Sequence, residues 1–283
     1  MKLTNPNAEI YVPDGTDVQS ALQRTTHMAI SAHQDDIEIM AAGPIVECFQ
    51  QSDKWFTGVV VTDGRGSPRD GVYKAYTDDE MMEVRRLEQK KAALVGGYSA
   101  QVLMNHPSAV VKDPGASAVV DDLVALLRAC KPEVLYVHNL ADKHETHVAV
   151  VLRVISALRR LDKAEQPRKL IGCEVWRNLD WMADKDKVVM DVSHHENLQE
   201  ALLGVFDSQI AGGKRYDLAT MGRRRGNATF FASHGTDQST GLWFGMDLTP
   251  LMQADVQPDA FIKRQIARFE EDVVNRLKRL NNQ

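Results

Sequence analysis

The chain has 283 residues, of which 43% are hydrophobic and 26% are charged, and its formal net charge at pH 7 is −5. That length and composition suit one large globular domain with a substantial core. The acidic balance argues against a partner such as nucleic acid or an anionic membrane, since both require a basic face. No window holds the roughly 18 apolar residues of a membrane span, and no apolar signal region follows the N-terminus. We therefore expect a cytoplasmic protein.

Strand and helix patterns alternate through the first half of the chain. Short apolar or β-branched runs predict strands at 27–32, 57–62 and 134–137. Helical spacing predicts helices at 39–51, 79–95, 119–129 and 147–161. Strands that alternate with helices imply right-handed crossovers, so we expect an α/β fold with a Rossmann-like, mostly parallel sheet flanked by helices.

The second half of the chain is less regular. A strand at 188–192 and a helix at 197–209 are predicted, whereas 211–245 is rich in Gly, Arg and aromatic residues without a clear period. An amphipathic helix at about 260–280 is expected to pack on the domain, or else to contact a second copy of the chain. We expect an N-terminal extension at 1–25 and one domain at 26–283. Its core would span about 26–210, and 211–283 would form an irregular substrate-side or oligomer segment.

The three cysteines do not indicate a structural site. Cys48, Cys130 and Cys173 lie far apart and form no Cys-x-x-Cys motif. An odd number of cysteines cannot all pair, so the sequence predicts free thiols rather than a disulfide framework or a thiolate zinc site.

Two polar clusters follow two of the predicted strands. The segment Ala32-His33-Gln34-Asp35-Asp36-Ile37-Glu38 comes after the first strand, and His144 and His147 come after the strand at 134–137. In open α/β sheets, ligands bind at the carboxyl ends of the strands, where both clusters are expected to lie. Several carboxylates at one strand end are costly unless a positive charge compensates them. A divalent cation would supply that charge.

The residue types predict a catalytic zinc site. Two imidazoles, from His33 and His147, and the carboxylate of Asp36 form a familiar ligand set that leaves a position open for water. Asp35 would lie beside that water as a general base. His144, if protonated, would stabilise the oxyanion or protonate the leaving amine. We expect one Zn²⁺ per chain, with other divalent metals as alternatives.

The two motifs also allow rival interpretations. Each motif alone is more often a helix cap or a polar surface segment, and only their joint placement favours a metal site. A relative that binds a metal or a sugar without catalysis would not require Asp35. A phosphohydrolase would gather more carboxylates around two metals.

The two motifs resemble those of the PIG-L/LmbE-like N-acetylglucosaminyl deacetylase family, which has an AHPDD-type motif and a later HxxH-type motif. Ala32–Glu38 is similar to the first motif and Asp142–His147 to the second, and the resemblance extends over about residues 25–235. It implies zinc ligation by His33, Asp36 and His147, with Asp35 as base and His144 as the oxyanion-stabilising acid. Gln34 replaces the family's usual proline, and Thr146 stands where the family often has Asp.

Substrate-binding residues are predicted near these motifs. Val61-Thr62-Asp63-Gly64 resembles the family's T-x-G turn, so Asp63 and the following Arg65 are expected at the mouth of the site. Arg85 lies in a segment that resembles an RxxE helix and is expected to face substrate, although a surface ion pair with Glu88 is an alternative. Asp142 is expected at the site, in place of the carboxylate missing at Thr146.

Aromatic and basic residues further along allow two interpretations. Trp176, Trp181 and Trp243 can stack on a sugar, although large aromatic side chains more often pack in cores. The run Arg223-Arg224-Arg225 either closes on a substrate anion or lies in a solvated turn.

The sequence thus predicts a zinc-dependent hydrolase that removes an N-acetyl group from an amino sugar or glycoconjugate through metal-activated water. The alternative is an amidase that acts on a larger N-acyl group or a sugar–thiol conjugate, or a non-catalytic relative that binds metal or sugar. A small-molecule substrate is expected, with no nucleic acid or membrane partner, and a homo-oligomer is possible.

Overall fold

The computed structural model describes residues 1–281, and in that range the chain forms one α/β domain around a mixed eight-stranded sheet. The strands are β1 (Glu9–Tyr11), β2 (His27–Ser31), β3 (Phe56–Thr62), β4 (Ala100–His106), β5 (Val134–His138), β6 (Lys169–Cys173), β7 (Lys187–Asp191) and β8 (Leu242–Asp247). The α-helices are α1 (Val18–Gln23), α2 (Asp36–Met40), α3 (Ala42–Cys48), α4 (Asp78–Val95), α5 (Ser108–Lys112), α6 (Ser117–Cys130), α7 (Glu145–Leu158), α8 (Glu196–Gly204), α9 (Asp207–Ile210), α10 (Tyr216–Phe230) and α11 (Pro258–Leu280). Short 3₁₀ turns lie at Gly71–Tyr73, Asp184–Asp186 and Thr249–Met252. The predicted fold class is confirmed.

The strand order places a topological switch point in the middle of the sheet. The order is β1-β4-β3-β2-β5-β6-β8-β7, and the five strands from β4 to β6 run parallel. From β2 the chain adds β3 and β4 on one side and then crosses to add β5 and β6 on the other. The crevice at the carboxyl ends of β2 and β5 is therefore the position where doubly wound folds bind ligands.

The parallel strands are apolar because helices cover both faces of the sheet. Successive residues of β3 alternate between two core layers, with Val59 and Val61 in one and Val60 in the other. The first layer packs against α6 and α7, and the second against α2, α3 and α8. Each side of a strand is thus buried, and the strand ends alone remain free for polar side chains.

Residues 1–25, predicted as an extension, belong to the domain. Here β1 pairs with β4 in antiparallel fashion, and Leu22 of α1 is buried in the core that α6 also contributes to. The three-residue strand and six-residue helix are too short to produce a clear periodic pattern, so the sequence prediction missed them.

Three further differences have local causes. The helix predicted at 39–51 begins at Asp36, is interrupted at Ala41 and ends at Cys48. The strand β4 was not predicted because Gln101 interrupts its apolar pattern, although that side chain is buried against Gln89. The stretch 211–245, which lacks a clear sequence period, contains α10 and the first residues of β8.

The last helix leaves the body of the domain. Phe261 in the first turn of α11 is buried, and the ring of Phe269 approaches that of Trp181 at 6.4 Å. From residue 270 onward every described residue is exposed, and Leu280 is 74% exposed. The predicted packing on the domain therefore holds only for the first half of this helix. In residues 1–281 we find no helix with the length and apolar character needed to span a membrane.

Candidate metal centre and active-site cleft

The two predicted polar clusters meet at the switch point between β2 and β5. His33 lies in the loop after β2, and Asp36 is the first residue of α2. His144 occupies the N-cap position of α7, and His147 lies within the first turn of that helix. The parallel pairing of β2 with β5 brings these two segments together although they are far apart in sequence.

His33, Asp36 and His147 form a nearly equilateral triangle of ligand atoms. Nδ1 of His33 lies 3.2 Å from Oδ2 of Asp36. Nε2 of His147 lies 3.3 Å from that carboxylate oxygen and 3.3 Å from Nδ1 of His33. Tetrahedral zinc with bonds of about 2.0–2.1 Å separates neighbouring ligand atoms by roughly 3.3–3.4 Å. The spacing and chemistry of these three donors fit one such cation.

His138 and His144 border the triangle. Two overlapping groups, His33–His144–His147 and Asp36–His138–His147, each keep their ligand atoms within 4.8 Å of one another. Nε2 of His138, however, accepts the backbone N–H of Ala32 at 2.9 Å, so its lone pair is already used. The ring of His138 stacks on that of His147, with the two centroids 3.8 Å apart, and so restrains the orientation of the His147 ring. His138 was not predicted from the sequence as a site residue, although it ends β5 and so lies at the ligand-binding edge.

The charges within the triangle are strongly coupled. Burial disfavours the charged form of Asp36, but His147, His138 and His33 outweigh it and hold the carboxyl pKa well below its usual range. Burial likewise opposes protonation of His147, yet the carboxylates of Asp36 and Asp142 raise its pKa to about 9. Burial lowers the pKa of His33 despite its contact with Asp36. In the metal-free protein, the positive charge of protonated His147 therefore compensates the nearby carboxylates, as a bound cation would.

Asp142 supports the centre from the far side of His147. Its Oδ2 lies 3.3 Å from Nδ1 of His147 and accepts the backbone N–H of Trp176 at 3.2 Å, while Oδ1 accepts the backbone N–H of His144 at 3.1 Å. Asp142 is 7% exposed and does not line the cleft. This contact with the proposed ligand His147 is the supporting role expected in place of the carboxylate missing at Thr146, and substrate binding by Asp142 stays a prediction.

Asp35 lies beside the triangle with an unusual backbone. Its φ is 85°, a conformation that non-glycine residues seldom adopt. Oδ1 lies 3.6 Å from Nη2 of Arg85. Burial raises the carboxyl pKa well above its ordinary value; Arg85 opposes the rise, and the neighbouring acids Asp36 and Glu38 add to it. Asp35 is thus a stronger base than a solvated carboxylate.

His144 faces the cleft. Its ring centroid lies 5.0 Å from that of His33 and 4.5 Å from that of His147, and its Nδ1 is buried without a hydrogen-bond partner among the described residues. Burial, followed by the neighbouring imidazoles His147 and His33, lowers the pKa of His144 to about 4. The imidazole is therefore neutral at pH 7, which conflicts with the predicted protonated acid.

Arg85 is placed by Gln34, the residue that replaces the family proline. The Nε of Arg85 donates to Oε1 of Gln34 at 3.2 Å, and its Nη2 donates to the carbonyl of Gln34. The guanidinium is 2% exposed and lines the cleft, so the surface ion pair with Glu88 is wrong. Glu88 instead binds the backbone N–H and hydroxyl of Ser208.

Asp63 and Arg65 contact each other rather than the cleft. Nε of Arg65 donates to Oδ2 of Asp63 at 2.8 Å, and neither residue lines the cavity. The turn between them requires Gly64, whose φ is +76° and where a Cβ would come within 2.5 Å of Oε1 of Gln34. Asp63 and Arg65 thus shape the loop at the edge of the cleft, and substrate binding by either residue stays a prediction.

A cleft of about 620 Å³ opens above the triangle. Its walls include His33, Asp35, Asp36, Arg85, His144, Trp176, Tyr216, Lys143, Lys214 and Arg223. Of the three tryptophans proposed to stack on a sugar, Trp176 alone lines this cavity. Trp243 is buried in the second core layer, and Trp181 packs against the first. Lys143, Lys214 and Tyr216 were not singled out in the sequence because their positions depend on how distant loops fold together.

Comparison with known protein families gives a match over the part of the chain that carries both motifs. Residues 28–158 match the sequence model of the PIG-L family, described as GlcNAc-PI de-N-acetylase. The resemblance predicted from the motifs is thereby confirmed. No curated protein sequence matches the chain significantly.

Solved structures share the fold of this chain. A conserved protein from Thermus thermophilus is 16% identical with a TM-score of 0.58, covering 79% of this chain and 94% of its own. The 4-carboxy-2-hydroxymuconate hydratase of Pseudomonas putida is 14% identical with a TM-score of 0.59 (82% and 100% covered). N,N'-diacetylchitobiose deacetylase of Pyrococcus horikoshii, in complex with its inhibitor MPG, is 17% identical with a TM-score of 0.59 (78% and 83% covered). The fold thus supports at least two reaction types.

Proposed function

We propose that the chain is a metal-dependent hydrolase that removes an N-acetyl group from an amino sugar or an amino-sugar conjugate. The observation that carries this proposal is the triangle of His33, Asp36 and His147 with the base Asp35 beside it. The family description and one deacetylase among the structural neighbours support the same reaction class. A protein that only bound a metal or a sugar would have no use for Asp35.

We assign the metal as one Zn²⁺ per chain, held by the two imidazoles and the carboxylate of the triangle. When bound, such a cation supplies a Lewis acid that polarises the amide carbonyl and makes water a better nucleophile. The remaining steps belong to side chains of the protein. Asp142 keeps His147 in the orientation that presents Nε2 to the centre.

Asp35 is proposed to move the proton. Its carboxylate accepts a proton from the attacking water as the new C–O bond forms, and its raised pKa suits that task. The same proton then passes to the amine nitrogen as the C–N bond breaks, so the products are a carboxylate and an amine. Arg85, whose Nη2 lies 3.6 Å from Oδ1 of Asp35, opposes the rise in the pKa of that carboxyl.

His144 is proposed to act as a neutral hydrogen-bond donor. Its imidazole lines the cleft beside His33, where the carbonyl oxygen of a bound amide would lie. Because its pKa is lowered to about 4, a charged imidazolium is not the resting form at pH 7. A neutral N–H aimed at the developing oxyanion stabilises it without a change in protonation.

The direct test is product analysis with metal-loaded protein and a panel of N-acetylated sugars. We expect equal amounts of free amine and acetate, and we expect Asp35→Asn to lose this activity while it retains one equivalent of zinc. Asn also tolerates positive φ, which limits structural side effects. The exposed Asp53→Asn serves as the matched control and should keep full activity. If Asp35→Asn retains turnover, the assignment of the base is wrong.

A second candidate reaction is the addition of water to an unsaturated carboxylate. One structural neighbour is a hydratase, and the cleft wall of this chain carries several cations. Hydration would release neither amine nor acetate, so the same product analysis separates the two reactions. An amidase for larger acyl groups would release amine with a longer carboxylate.

A further inference from the structure

Trp176 forms a fixed wall of the cleft close to the metal centre. Its ring centroid lies 6.3 Å from that of His144, and Tyr216 meets it edge-on at 6.0 Å. Its backbone N–H donates to Asp142, the carboxylate that also contacts His147. The backbone of Trp176 is therefore tied to the carboxylate that supports His147, and its indole lies between His144 and Tyr216.

Two ammonium groups lie over this one indole. Nζ of Lys143 is 5.9 Å from the Trp176 ring centroid, and Nζ of Lys214 is 5.3 Å from it. The first lysine precedes His144, and the second lies in the loop between α9 and α10. Cation–π attraction positions both groups, but it does not neutralise their charge.

Neither lysine has an acidic partner. Within residues 1–281, no carboxylate oxygen lies within 4.0 Å of either ammonium, whereas Lys54, Lys90 and Lys187 each pair with acids. The carboxylates that line the cleft are Asp35 and Asp36. The first pairs with Arg85 and the second faces the imidazoles of the triangle. A protein with a net charge of −5 thus has an uncompensated positive patch at its cleft.

Buried donors of the same cleft are also unsatisfied. Nη1 of Arg85 has no hydrogen-bond partner in the described part of the chain, although the side chain is only 2% exposed. Arg223, which also lines the cleft, has no carboxylate within 4.0 Å among residues 1–281, and its Nη1 donates to the carbonyl of Val175. A buried donor without an acceptor costs free energy, so Nη1 of Arg85 favours a ligand rich in acceptors.

We propose that Lys143, Lys214 and Trp176 form an anion subsite, which binds a phosphate or carboxylate group on the amino sugar whose amide reaches the metal centre. The indole holds the two ammonium groups in position through cation–π contacts, and these groups bind the anion through charge-assisted hydrogen bonds. The inference rests on the proposed function, since it specifies the substrate class of the same cleft. The positive patch also attracts anionic substrates from solution.

The kinetic test compares substrates that differ in charge. N-acetylglucosamine, N-acetylglucosamine 6-phosphate and N-acetylmuramic acid represent a neutral, a phosphorylated and a carboxylated sugar. We expect kcat/KM for at least one anionic sugar to exceed that for the neutral sugar by roughly tenfold or more, and to fall as salt screens the charges. The two anionic sugars distinguish a phosphate from a carboxylate ligand.

The test variant combines Lys143→Gln with Lys214→Gln, and Lys163→Gln is its matched control. Lys163 is exposed and far from the cleft walls. The double variant should lose roughly tenfold to a hundredfold in kcat/KM for the anionic sugar, because two charge-assisted contacts are removed. The ratio of kcat/KM for the anionic sugar to that for the neutral sugar should fall by roughly tenfold or more in this variant, whereas Lys163→Gln should leave the ratio unchanged.

A binding measurement keeps this inference separate from the proposed reaction. Zinc-loaded Asp35→Asn protein is titrated with glucosamine 6-phosphate, muramic acid and glucosamine, with heat of binding as the readout. Selective binding of an anionic sugar that disappears in the double lysine variant supports the subsite, even if no substrate is hydrolysed. Equal binding of all three sugars, or binding unaffected by the lysine substitutions, overturns the subsite while amide hydrolysis can still stand.

Discussion

Oδ2 of Asp142 lies 3.3 Å from Nδ1 of His147, on the side of the imidazole opposite Nε2, the proposed ligand atom. This contact fixes the ring orientation and makes Nε2 a stronger electron-pair donor. The same oxygen accepts the backbone N–H of Trp176, so one carboxylate positions both the proposed ligand and a wall of the cleft.

Replacement of Asp142 should therefore weaken metal binding. We expect Asp142→Asn to lower zinc affinity by roughly 10- to 100-fold, measured by competition with a chromogenic chelator. The control is Asp122→Asn, which breaks a similar pair with His106 away from the centre. An unchanged zinc affinity in Asp142→Asn would show that this carboxylate does not support the ligand.

Zinc affinity should depend on pH through one proton. In the metal-free protein His147 has a pKa of about 9, whereas the pKa values of Asp36 and His33 are lowered. Zinc must displace the His147 proton, so we expect the apparent affinity to rise about tenfold per pH unit between neutral pH and about pH 8.5. Affinity that is independent of pH, or that changes twice as steeply, would contradict this assignment.

The stability of the metal-free protein should follow the opposite trend. The folded pKa of His147 exceeds the ordinary value of 6.5, so folding is favoured by its bound proton. That stabilisation is fully present below pH 6.5 and is lost as the pH rises through about 9. Denaturant unfolding of chelator-treated protein at several pH values measures it, and His147→Gln should remove this pH dependence.

Arg85 should set the acidic limb of the pH–rate profile. Its guanidinium opposes the rise in the pKa of Asp35, so its removal raises that pKa further. We expect Arg85→Met to shift the acidic limb of kcat/KM to higher pH and to lower kcat/KM at pH 7. Arg86→Gln is the control, because Arg86 pairs with Glu83 and Glu9 outside the cleft. If the acidic limb does not move, Arg85 does not influence the pKa of the base Asp35.

Arg224 should be critical for stability although its neighbour Arg225 is not. The buried guanidinium of Arg224 donates to the carbonyls of Glu38 and Ile39 and to Gln199, and so ties α10 to the helix that carries Asp36. Arg224→Ala should lower the free energy of unfolding by roughly 3–5 kcal/mol, because it leaves buried carbonyls unpaired and opens a cavity. Arg225→Ala removes an exposed ion pair and should unfold at an unchanged denaturant midpoint.

The end of α11 should be dispensable for the fold. Deletion of residues 270–283 removes exposed positions only, as far as they are described. We expect the thermal midpoint of the monomer to change by less than about 4 °C and kcat/KM to remain constant. A larger drop, together with a smaller sedimentation coefficient, would indicate that the exposed side chains contact a second copy. The oligomeric state and the cytoplasmic location stay predictions.

The sequence predicted the centre of the site because its residues directly follow strands. Once β2 and β5 are recognised as parallel neighbours, His33 and His147 must meet at one edge of the sheet. The cleft walls could not be derived in the same way. Trp176 and Lys214 come from loops after β6 and α9, and their meeting depends on the packing of the whole second half.

Buried polar residues account for most of what the sequence patterns missed. Arg224 belongs to a run of three arginines that suggests solvent exposure, but its guanidinium satisfies two backbone carbonyls in the core. Gln34 is not one of the predicted metal ligands, yet its side-chain oxygen and its backbone carbonyl accept hydrogen bonds from Arg85. Because such partners are distant in sequence, local periodicity does not predict these contacts.

The strand pairing has a consequence for how the protein assembles. His33 and Asp36 follow β2, His147 follows β5, and more than a hundred residues separate the two groups in the chain. A short peptide with either motif alone holds an incomplete set of donors. Tight metal uptake therefore requires the two central strands to have paired, and a cation that binds only the folded chain raises its melting temperature. We therefore expect zinc to bind after the central strands have paired, and so to stabilise the folded sheet rather than to initiate folding.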